Sequence, residues 1–292
     1  MIEINKVYQG DSAELMKEIP DNFIDLTVTS PPYDNLRDYK GYSFDFETIA
    51  KELYRVTKSG GVVVWVVNDS TVNGSESGTS FRQALFFMSV GFNLHDTMIY
   101  AKKNYVPLTH NRYEQQFEYM FVFSKRKPNT FNPLMIKSVS AGSKKHMGYV
   151  VATTKENSSM RSGRDETVII KEYKYRPNIF FYSVGSNQST KERYVFESHS
   201  AVFPEQLAYD MIHSWSNKKD LVFDPFAGSG TTLKMAKLMN RTYLGFEIAE
   251  EYIPIIIKRL GQETVLAFCS TETHNRNLTE DFAKSSQINP TD

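Results

Sequence analysis

The stretch Asp224-Pro225-Phe226-Ala227-Gly228-Ser229-Gly230 joins a short apolar strand, predicted at Leu221–Phe223, to a helix predicted at Leu233–Leu238. Gly228 and Gly230 allow the backbone to turn sharply and to approach a ligand closely. The first turn of the following helix has backbone N–H groups without partners inside the helix. A strand, a glycine turn and a helix in this order predict an α/β fold with a ligand site at the turn.

An acidic residue ends the next predicted strand, Thr242–Glu247, and Glu247 follows Asp224 by 23 residues. Nucleoside-binding βαβ units use an acidic residue at this place to accept hydrogen bonds from ribose hydroxyls. The turn departs from the dinucleotide fingerprint because Leu233 stands where the third glycine or alanine is expected, and no Gly-Lys-Ser/Thr of a P-loop follows. A nucleoside-bearing cofactor is therefore favoured over a purely structural turn.

A second motif, Ser30-Pro31-Pro32-Tyr33, follows the strand predicted at Ile24–Thr29. Two successive prolines restrict the backbone and lack N–H donors, while their carbonyls remain acceptors. The Ser30 hydroxyl and the Pro31 carbonyl could accept hydrogen bonds from an aromatic NH₂ group, and Tyr33 could stack on its ring. The motif predicts a pocket for a planar heterocycle with an amino group; a rigid loop is the structural alternative.

Outside these motifs, apolar runs alternate with helical patterns. Further strands are predicted at Val62–Val67, His95–Ala101 and Phe117–Ser124, and helices at Phe46–Thr57, Ser80–Val90, Pro204–Ser214 and Glu250–Leu260, with a helix stop at Lys58–Gly61. This alternation predicts a doubly wound, mostly parallel sheet with helices on both faces. From about Lys125 to Glu197 the apolar periodicity weakens, which predicts an inserted region.

Composition excludes several classes of protein. The chain has 292 residues and a single cysteine, Cys269, which rules out an intramolecular disulfide and a cysteine-rich zinc site. No run of 18 apolar residues occurs, and Met1–Gly10 lacks the pattern of a secretory signal. We therefore expect a cytoplasmic protein that does not enter a membrane.

The net charge of zero conceals an asymmetry along the chain. Residues 101–176 contain 15 Lys and Arg against 6 Asp and Glu, a surplus of nine positive charges. Such a segment could neutralise a polyphosphate backbone. A solvated surface is the alternative that charge alone leaves open.

In this order, Val28–Tyr33 and then Asp224–Gly230 resemble the motifs of S-adenosylmethionine-dependent DNA amino-methyltransferases, which methylate N4 of cytosine or N6 of adenine. Having the catalytic motif before the cofactor motif is similar to the β class, in which a Rossmann-like methyltransferase fold is circularly permuted. The resemblance covers most of residues 4–260. It implies S-adenosylmethionine as cofactor and double-stranded DNA as substrate, and is compatible with a homodimer and a companion restriction endonuclease that need not touch the chain.

The resemblance also implies roles for individual residues. Asp11 would contact the cofactor adenine, Phe226 would pack beside the cofactor, and Asp224 would lie near its amino acid moiety. The implied cofactor-binding set is Asp11, Asp224, Pro225, Phe226, Ala227, Gly228, Gly230, Thr231 and Glu247. The catalytic set is Ser30, Pro31, Pro32 and Tyr33. The candidate DNA-binding residues are Lys102, Lys103, Arg112, Arg161 and Arg164, and no metal ion is implied.

The resemblance further implies an organisation and a target base. Residues 1–124 would form the catalytic half, 125–197 the target-recognition region, 198–268 the cofactor-binding half and 269–292 a polar tail. Ser30 favours cytosine N4, because adenine-N6 members more often have Asp at that position. Adenine N6 is the first alternative; a nicotinamide-dependent oxidoreductase and a catalytically silent nucleic-acid-binding module are more remote.

Overall fold

The computed structural model describes residues 2–32, 44–104, 112–146, 167–185, 188–198 and 202–261. The predictions for Tyr33, Arg161, Arg164 and the tail 269–292 lie outside these residues. The described strands are β1 (Lys6–Gln9), β2 (Ile24–Thr29), β3 (Thr57–Val67), β4 (Thr71–Val72), β5 (Ser75–Glu76), β6 (Asn93–Lys102), β7 (Phe117–Ser124), β8 (Met135–Lys137), β9 (Lys144–His146), β10 (Thr167–Ile169), β11 (Tyr173–Tyr175), β12 (Ile179–Tyr182), β13 (Leu221–Asp224) and β14 (Thr242–Glu247). The α-helices are α1 (Ser12–Leu15), α2 (Phe46–Val56), α3 (Thr79–Val90), α4 (Arg193–Ser198), α5 (Glu205–Trp215), α6 (Thr231–Leu238) and α7 (Ile253–Leu260), with 3₁₀ turns at Met16–Glu18 and Glu250–Tyr252.

Eight of these strands form one sheet in the order β1-β14-β13-β2-β3-β7-β6-β12. Only β7 runs against the others, since it pairs antiparallel with both β3 and β6. The remaining pairs in this sheet are parallel. The predicted doubly wound, mostly parallel fold is confirmed. Because β13 lies between β14 and β2, strands from the two ends of the chain meet at the centre of the sheet.

The centre of the sheet is buried on both faces. Along β3, every residue from Val62 to Val67 is at most 1% exposed, as the continuous apolar run predicts. Trp65 packs edge-on against Phe87 of α3 at a ring distance of 5.0 Å, and Phe87 stacks on Phe123 of β7 at 4.6 Å. These rings anchor the strand that lies next to the Ser30 motif.

The helix ends within one residue of the predicted position, but Lys58–Gly61 do not terminate it, because these residues belong to β3. Helix α2 ends at Val56, and the next residue, Thr57, donates both its backbone N–H and its hydroxyl to the Leu53 carbonyl. Gly60 has a positive φ of 84°; its N–H donates to the Lys125 carbonyl at 2.6 Å, and its carbonyl accepts the Asn129 N–H at 3.0 Å. The glycine therefore permits an irregularity at the start of the strand instead of terminating the helix.

The chain divides into two compact units, the larger of which contains Met1–Asn132 and residues 177–264. The smaller unit includes Pro133–Arg176, where the described residues form two antiparallel strand pairs, β8 with β11 and β9 with β10. Strand β12 joins the main sheet beside β6. Residues 125–132 and 177–197, the two ends of the predicted recognition region 125–197, are therefore in the larger unit. No helix in the described ranges has the length and apolar character needed to cross a membrane.

Helix α6 packs unusually close to β14. A Cβ atom added to Gly245 would lie 2.4 Å from Cδ1 of Leu233, which is fully buried. In the dinucleotide fingerprint, a small residue on the helix permits such close packing. In this protein the small residue is Gly245 on the strand, which leaves room for Leu233 on the helix.

We expect Gly245→Ala to lower the free energy of unfolding by about 1–3 kcal/mol, because the added methyl overfills the space that Leu233 occupies. In the double variant with Leu233→Ala, the two losses should be less than additive, as measured by urea unfolding. Gly261→Ala is the control, since its nearest atoms would lie at 3.5 Å. Full additivity of the two losses would contradict this packing.

Candidate active site

Four neighbouring parallel strands bring predicted site residues to one edge of the sheet. Their order across the sheet is β1, β14, β13 and β2. Glu247 ends β14 and Asp224 ends β13, while Asp11 and Ser30 follow the ends of β1 and β2. Because parallel strands share the direction of their carboxyl ends, residues from distant parts of the sequence meet at this edge.

The glycine turn has the backbone conformation that its sequence requires. Gly228 and Gly230 have positive φ angles of 51° and 80°, and Gly230 is the N-cap of α6. A Cβ on Gly230 would also lie 2.9 Å from Cγ2 of Ile256. The Ala227 N–H donates to the Phe246 carbonyl at 2.8 Å, which attaches the turn to β14. Both conformation and space therefore require glycine at 230.

Asp224 is a buried acid whose hydrogen-bond partners are all neutral. It is 4% exposed, and its Oδ1 accepts from the Thr29 hydroxyl at 2.7 Å and from the Phe226 N–H at 3.0 Å. Burial raises the pKa of Asp224 to about 6, although the hydrogen bonds from Thr29 and Phe226 partly oppose that rise. Within the described residues no cation pairs with it, so a positively charged ligand group would favour its ionised form.

Glu247 joins the glycine turn to the segment that follows β14. Its Oε2 accepts the Gly228 N–H at 2.6 Å and its Oε1 accepts the Ala249 N–H at 2.8 Å. Burial raises the pKa of Glu247 to about 7, the N–H groups partly oppose this, and the nearby Asp224 adds to it. A carboxylate oxygen has two lone pairs, so each oxygen can accept a further hydrogen bond.

Asp11 caps the short helix α1 and lies beside Glu247. The backbone N–H of Gly10 donates to the Glu247 carbonyl at 2.9 Å, and Asp11 Oδ1 accepts the Ala13 N–H at 2.7 Å. The buried Ser12 hydroxyl donates to the Pro225 carbonyl. The predicted adenine contact and the predicted glycine turn are therefore physically joined.

The proline corner begins immediately beyond β2. Pro31 is buried, whereas Ser30 and Pro32 are partly exposed at the sheet edge. The hydrogen bond from Thr29 to Asp224 is matched by one from the Thr232 hydroxyl to the Val28 carbonyl at 3.1 Å. Two hydrogen bonds thus brace the strand before the corner against both sides of the glycine turn.

Phe226 and Thr231 already have protein partners. Phe226 is half-buried, with its ring 5.5 Å from that of Phe44 and 6.2 Å from that of Trp65. Thr231 is 2% exposed, and its hydroxyl accepts a hydrogen bond from Arg259 at 2.9 Å. Thr231 was predicted only as a cofactor contact, and the structure shows that its hydroxyl also binds Arg259.

The described basic candidates lie at the same sheet edge, since β6 runs in the direction of β3. Lys102 pairs with Glu118 at 2.7 Å, and the side chain of the following residue, Lys103, is exposed. Arg112 approaches Glu76 of β5 at 3.8 Å and donates to the Gly74 carbonyl at the tip of the β4–β5 hairpin. Lys102 and Arg112 thus have acidic neighbours that the charge count did not reveal.

Thr29, Thr232 and Ser12 connect the two predicted motifs and the Asp11 segment, but they were not predicted to have a role. Each is a small hydroxyl residue beside a motif, and each is less than 9% exposed. For Thr29 the available sequence signal was a polar residue at the end of a mostly apolar predicted strand, whereas Thr232 and Ser12 carried no such signal. Only the fold shows which distant group each hydroxyl meets.

The buried Asp224 carboxyl should make the ligand-free protein less stable as pH rises. Its pKa is about 6 when folded and near 3.9 when unfolded, so its protonated form stabilises the fold and that stabilisation is lost between about pH 4 and 6. We expect Asp224→Asn to remove this part of the slope and to stabilise the protein at pH 7 by on the order of 1–3 kcal/mol. Urea unfolding across pH 3.5–7.5 measures both curves.

The two curves should meet near pH 3.5, where both side chains are neutral, and this provides an internal control. Asn keeps an oxygen that can accept the hydrogen bonds from Thr29 and Phe226. The difference in stability between the two proteins therefore reports the ionisation of Asp224 and not the loss of these hydrogen bonds. Parallel curves across the whole range would contradict the raised pKa of Asp224.

Comparison with known proteins agrees with this geometry. A family model described as DNA methylase matches residues 24–258. The orphan methyltransferase M.BamHII of Bacillus amyloliquefaciens is 53% identical over 253 residues, which are 86% of this chain and 94% of that protein. The type II methyltransferase M.BglII of Bacillus subtilis is 26% identical over 273 residues, covering 89% of this chain and 70% of that protein.

Solved structures show the same fold. The PvuII DNA methyltransferase, described as cytosine-N4-specific, has a TM-score of 0.65 at 22% identity and covers 91% of this chain and 89% of its own. M1.HpyAVI in complex with SAM has a TM-score of 0.54 at 23% identity and covers 88% of this chain and 99% of its own. Motif order, strand order and these matches agree, and the chain belongs to the N6/N4 DNA methylase family, in its β class.

Proposed function

We propose that this DNA methyltransferase transfers a methyl group from S-adenosylmethionine to the exocyclic N4 of cytosine in double-stranded DNA, in a restriction-modification context. The proposal is supported above all by a hydrogen bond that connects the Ser-Pro-Pro-Tyr motif to the glycine turn. Thr29, the residue before Ser30, donates at 2.7 Å to Asp224, the first residue of the glycine turn. This hydrogen bond holds an amine-accepting corner beside a site for the methyl donor.

The residues at the sheet edge fit S-adenosylmethionine. Asp224 is buried with neutral partners, and the ammonium of the methionine moiety would supply the positive charge that favours its carboxylate. Glu247 would accept the ribose hydroxyls and Asp11 would meet the adenine, while the Phe226 ring would pack beside the cofactor. When bound, the cofactor supplies an electrophilic methyl group on a sulfonium.

The corner would prepare the amino group of the base for reaction. An aromatic NH₂ group is a weak nucleophile because its lone pair is delocalised into the ring. The Ser30 hydroxyl and the Pro31 carbonyl would accept hydrogen bonds from its two N–H groups, which favours tetrahedral nitrogen and localises that lone pair. The nitrogen keeps both protons until it has been methylated and then releases one to solvent. The proline backbone holds these acceptors rigidly, so positioning and electrostatics provide the catalysis.

The target base must leave the duplex to reach this corner, which costs a few kcal/mol of stacking and pairing energy. We propose that Tyr33 stacks on the extruded base and offsets part of that cost. Lys102, Lys103, Arg112, Arg161 and Arg164 would neutralise phosphates around the site. Among these, the exposed Lys103 at the carboxyl end of β6 is best placed in the described part of the chain.

Two observations favour cytosine over adenine. The corner begins with Ser30, which resembles the cytosine-N4 pattern, whereas adenine-N6 members more often begin with Asp. The PvuII enzyme, whose fold this chain shares, is described as cytosine-N4-specific. Adenine N6 is the second candidate, because both amines present two protons to the same acceptors. A homodimer and a companion restriction endonuclease remain predictions.

Identification of the methylated base tests the proposed target directly. DNA from cells that express the protein, digested to nucleosides and analysed by mass spectrometry, should contain N4-methylcytosine. DNA from cells carrying the empty vector is the control. N6-methyladenine in its place would establish the second candidate, and unmethylated DNA would favour a catalytically silent binding module.

We expect Ser30→Ala to lower kcat at least tenfold, because one of the two acceptors for the amine protons is lost. The dissociation constant for S-adenosylmethionine should change less than twofold, since Asp224 and Glu247 remain. Ser89→Ala, on α3 and near the opposite end of the sheet, is the matched control and should retain full activity. An unchanged kcat in Ser30→Ala would remove Ser30 from the catalytic set.

A further inference from the structure

Behind the glycine turn lies a cluster of four buried charges, two carboxylates and two cations. Arg259 of α7 is fully buried, and its Nε donates to Glu192 at 2.7 Å while its Nη2 donates to Glu205 at 2.6 Å. Lys234 of α6 reaches the same carboxylates at 3.0 Å and 2.9 Å. The four side chains are at most 10% exposed, and their formal charges cancel.

Arg259 is the member of the cluster that touches the turn itself. Its Nη1 donates to the Ser229 carbonyl at 2.8 Å, to the Ser229 hydroxyl at 3.1 Å and to the Thr231 hydroxyl at 2.9 Å. One planar guanidinium therefore joins two carboxylates to the backbone between Gly228 and Thr231. A lysine ammonium is a compact point charge and does not offer this rigid fork.

The carboxylates come from the segment that precedes and opens α5. Glu205 is the first residue of α5, and its Oε1 also accepts from the Thr190 hydroxyl at 2.8 Å. Burial would raise the pKa of Glu192, but Arg259 and Lys234 outweigh it and hold that pKa below its usual value. The cluster thus fixes Thr190, Glu192 and Glu205 behind the turn.

Buried ion pairs are weak evidence for stability, because well-packed apolar residues of similar volume often stabilise a fold as well or better. What an apolar cluster cannot provide is a set of directed hydrogen bonds to a carbonyl and a hydroxyl of the turn. Directed hydrogen bonds define the position of the turn more sharply than apolar packing does. The cluster is therefore placed to set the geometry of the turn.

We propose that Arg259 is a positioning residue for the cofactor, which holds the glycine turn in its binding conformation through Ser229 and Thr231. Glu192, Glu205 and Lys234 hold the guanidinium in that orientation. The inference rests on the proposed function, since the turn must bind S-adenosylmethionine. It adds a specific claim, that affinity for the cofactor depends on a buried side chain that does not touch it.

The test compares two arginine-to-lysine variants by calorimetric titration with S-adenosylmethionine. We expect Arg259→Lys to weaken binding at least tenfold and to raise KM for the cofactor. At saturating cofactor, kcat should stay within about threefold of the wild-type value. Arg241→Lys is the matched control: Arg241 bonds the carbonyls of Ser216 and Met239 and the Ser216 hydroxyl, just before the start of β14 and away from the site edge.

A merely structural arginine would lower the thermal unfolding temperature without changing cofactor affinity, as we expect for Arg241→Lys. If Arg259→Lys behaves like that control, the inference is overturned. Glu192→Gln is the second variant, because it weakens the hold on Arg259 without altering the turn; we expect at least threefold weaker binding. If Arg259→Lys does not fold, unchanged affinity in Glu192→Gln overturns the inference.

Measurements on the wild-type protein distinguish failure of the proposed function from failure of the positioning role. If it neither binds S-adenosylmethionine nor methylates DNA, the proposed function fails. If it does both and the Arg259 and Glu192 variants bind the cofactor as tightly, only the positioning role fails.

Discussion

The hydrogen bond between the Thr29 hydroxyl and the Asp224 carboxyl is the interaction on which the site depends. It joins residues 195 positions apart and has a length of 2.7 Å. The ladder between β13 and β2 has only two registered pairs, the last of which is Phe223 with Thr27. The side-chain hydrogen bond therefore continues the junction beyond the ladder, up to the point where the proline corner and the glycine turn begin.

The buried acids of this protein fall into two groups with different consequences. Asp224 and Glu247 face the site with hydrogen-bond donors, no cation among the described residues neutralises them, and burial raises the pKa of each. Glu192 and Glu205 are paired with Lys234 and Arg259 behind the turn. Ionised Asp224 and Glu247 lower the stability of the fold but leave carboxylates available to a ligand. Glu192 and Glu205, with their two cations, instead fix the backbone of the glycine turn.

The circular permutation leaves the site intact, because the residues that meet at the carboxyl edge of a parallel sheet depend on the order of strands in space and not on their order along the chain. Ser30 comes near the start of the chain and Asp224 comes late, yet β2 and β13 are neighbours. Asp11 and Glu247 meet in the same way through β1 and β14. Whichever strand comes first along the chain, the carboxyl ends of parallel strands point the same way.

Near neighbours along the chain are sufficient for the strand, the turn and the helix around Asp224–Gly230 and for the proline corner at Ser30–Pro32, because glycine conformations, proline geometry and apolar runs are local properties. The alternation of strands and helices predicted the mostly parallel sheet. The contacts of Thr29 with Asp224, of Leu233 with Gly245 and of Arg259 with the turn became visible in the folded chain. Each of these depends on which distant backbone or side chain lies within a few ångströms, and residue type and spacing alone do not specify that distance.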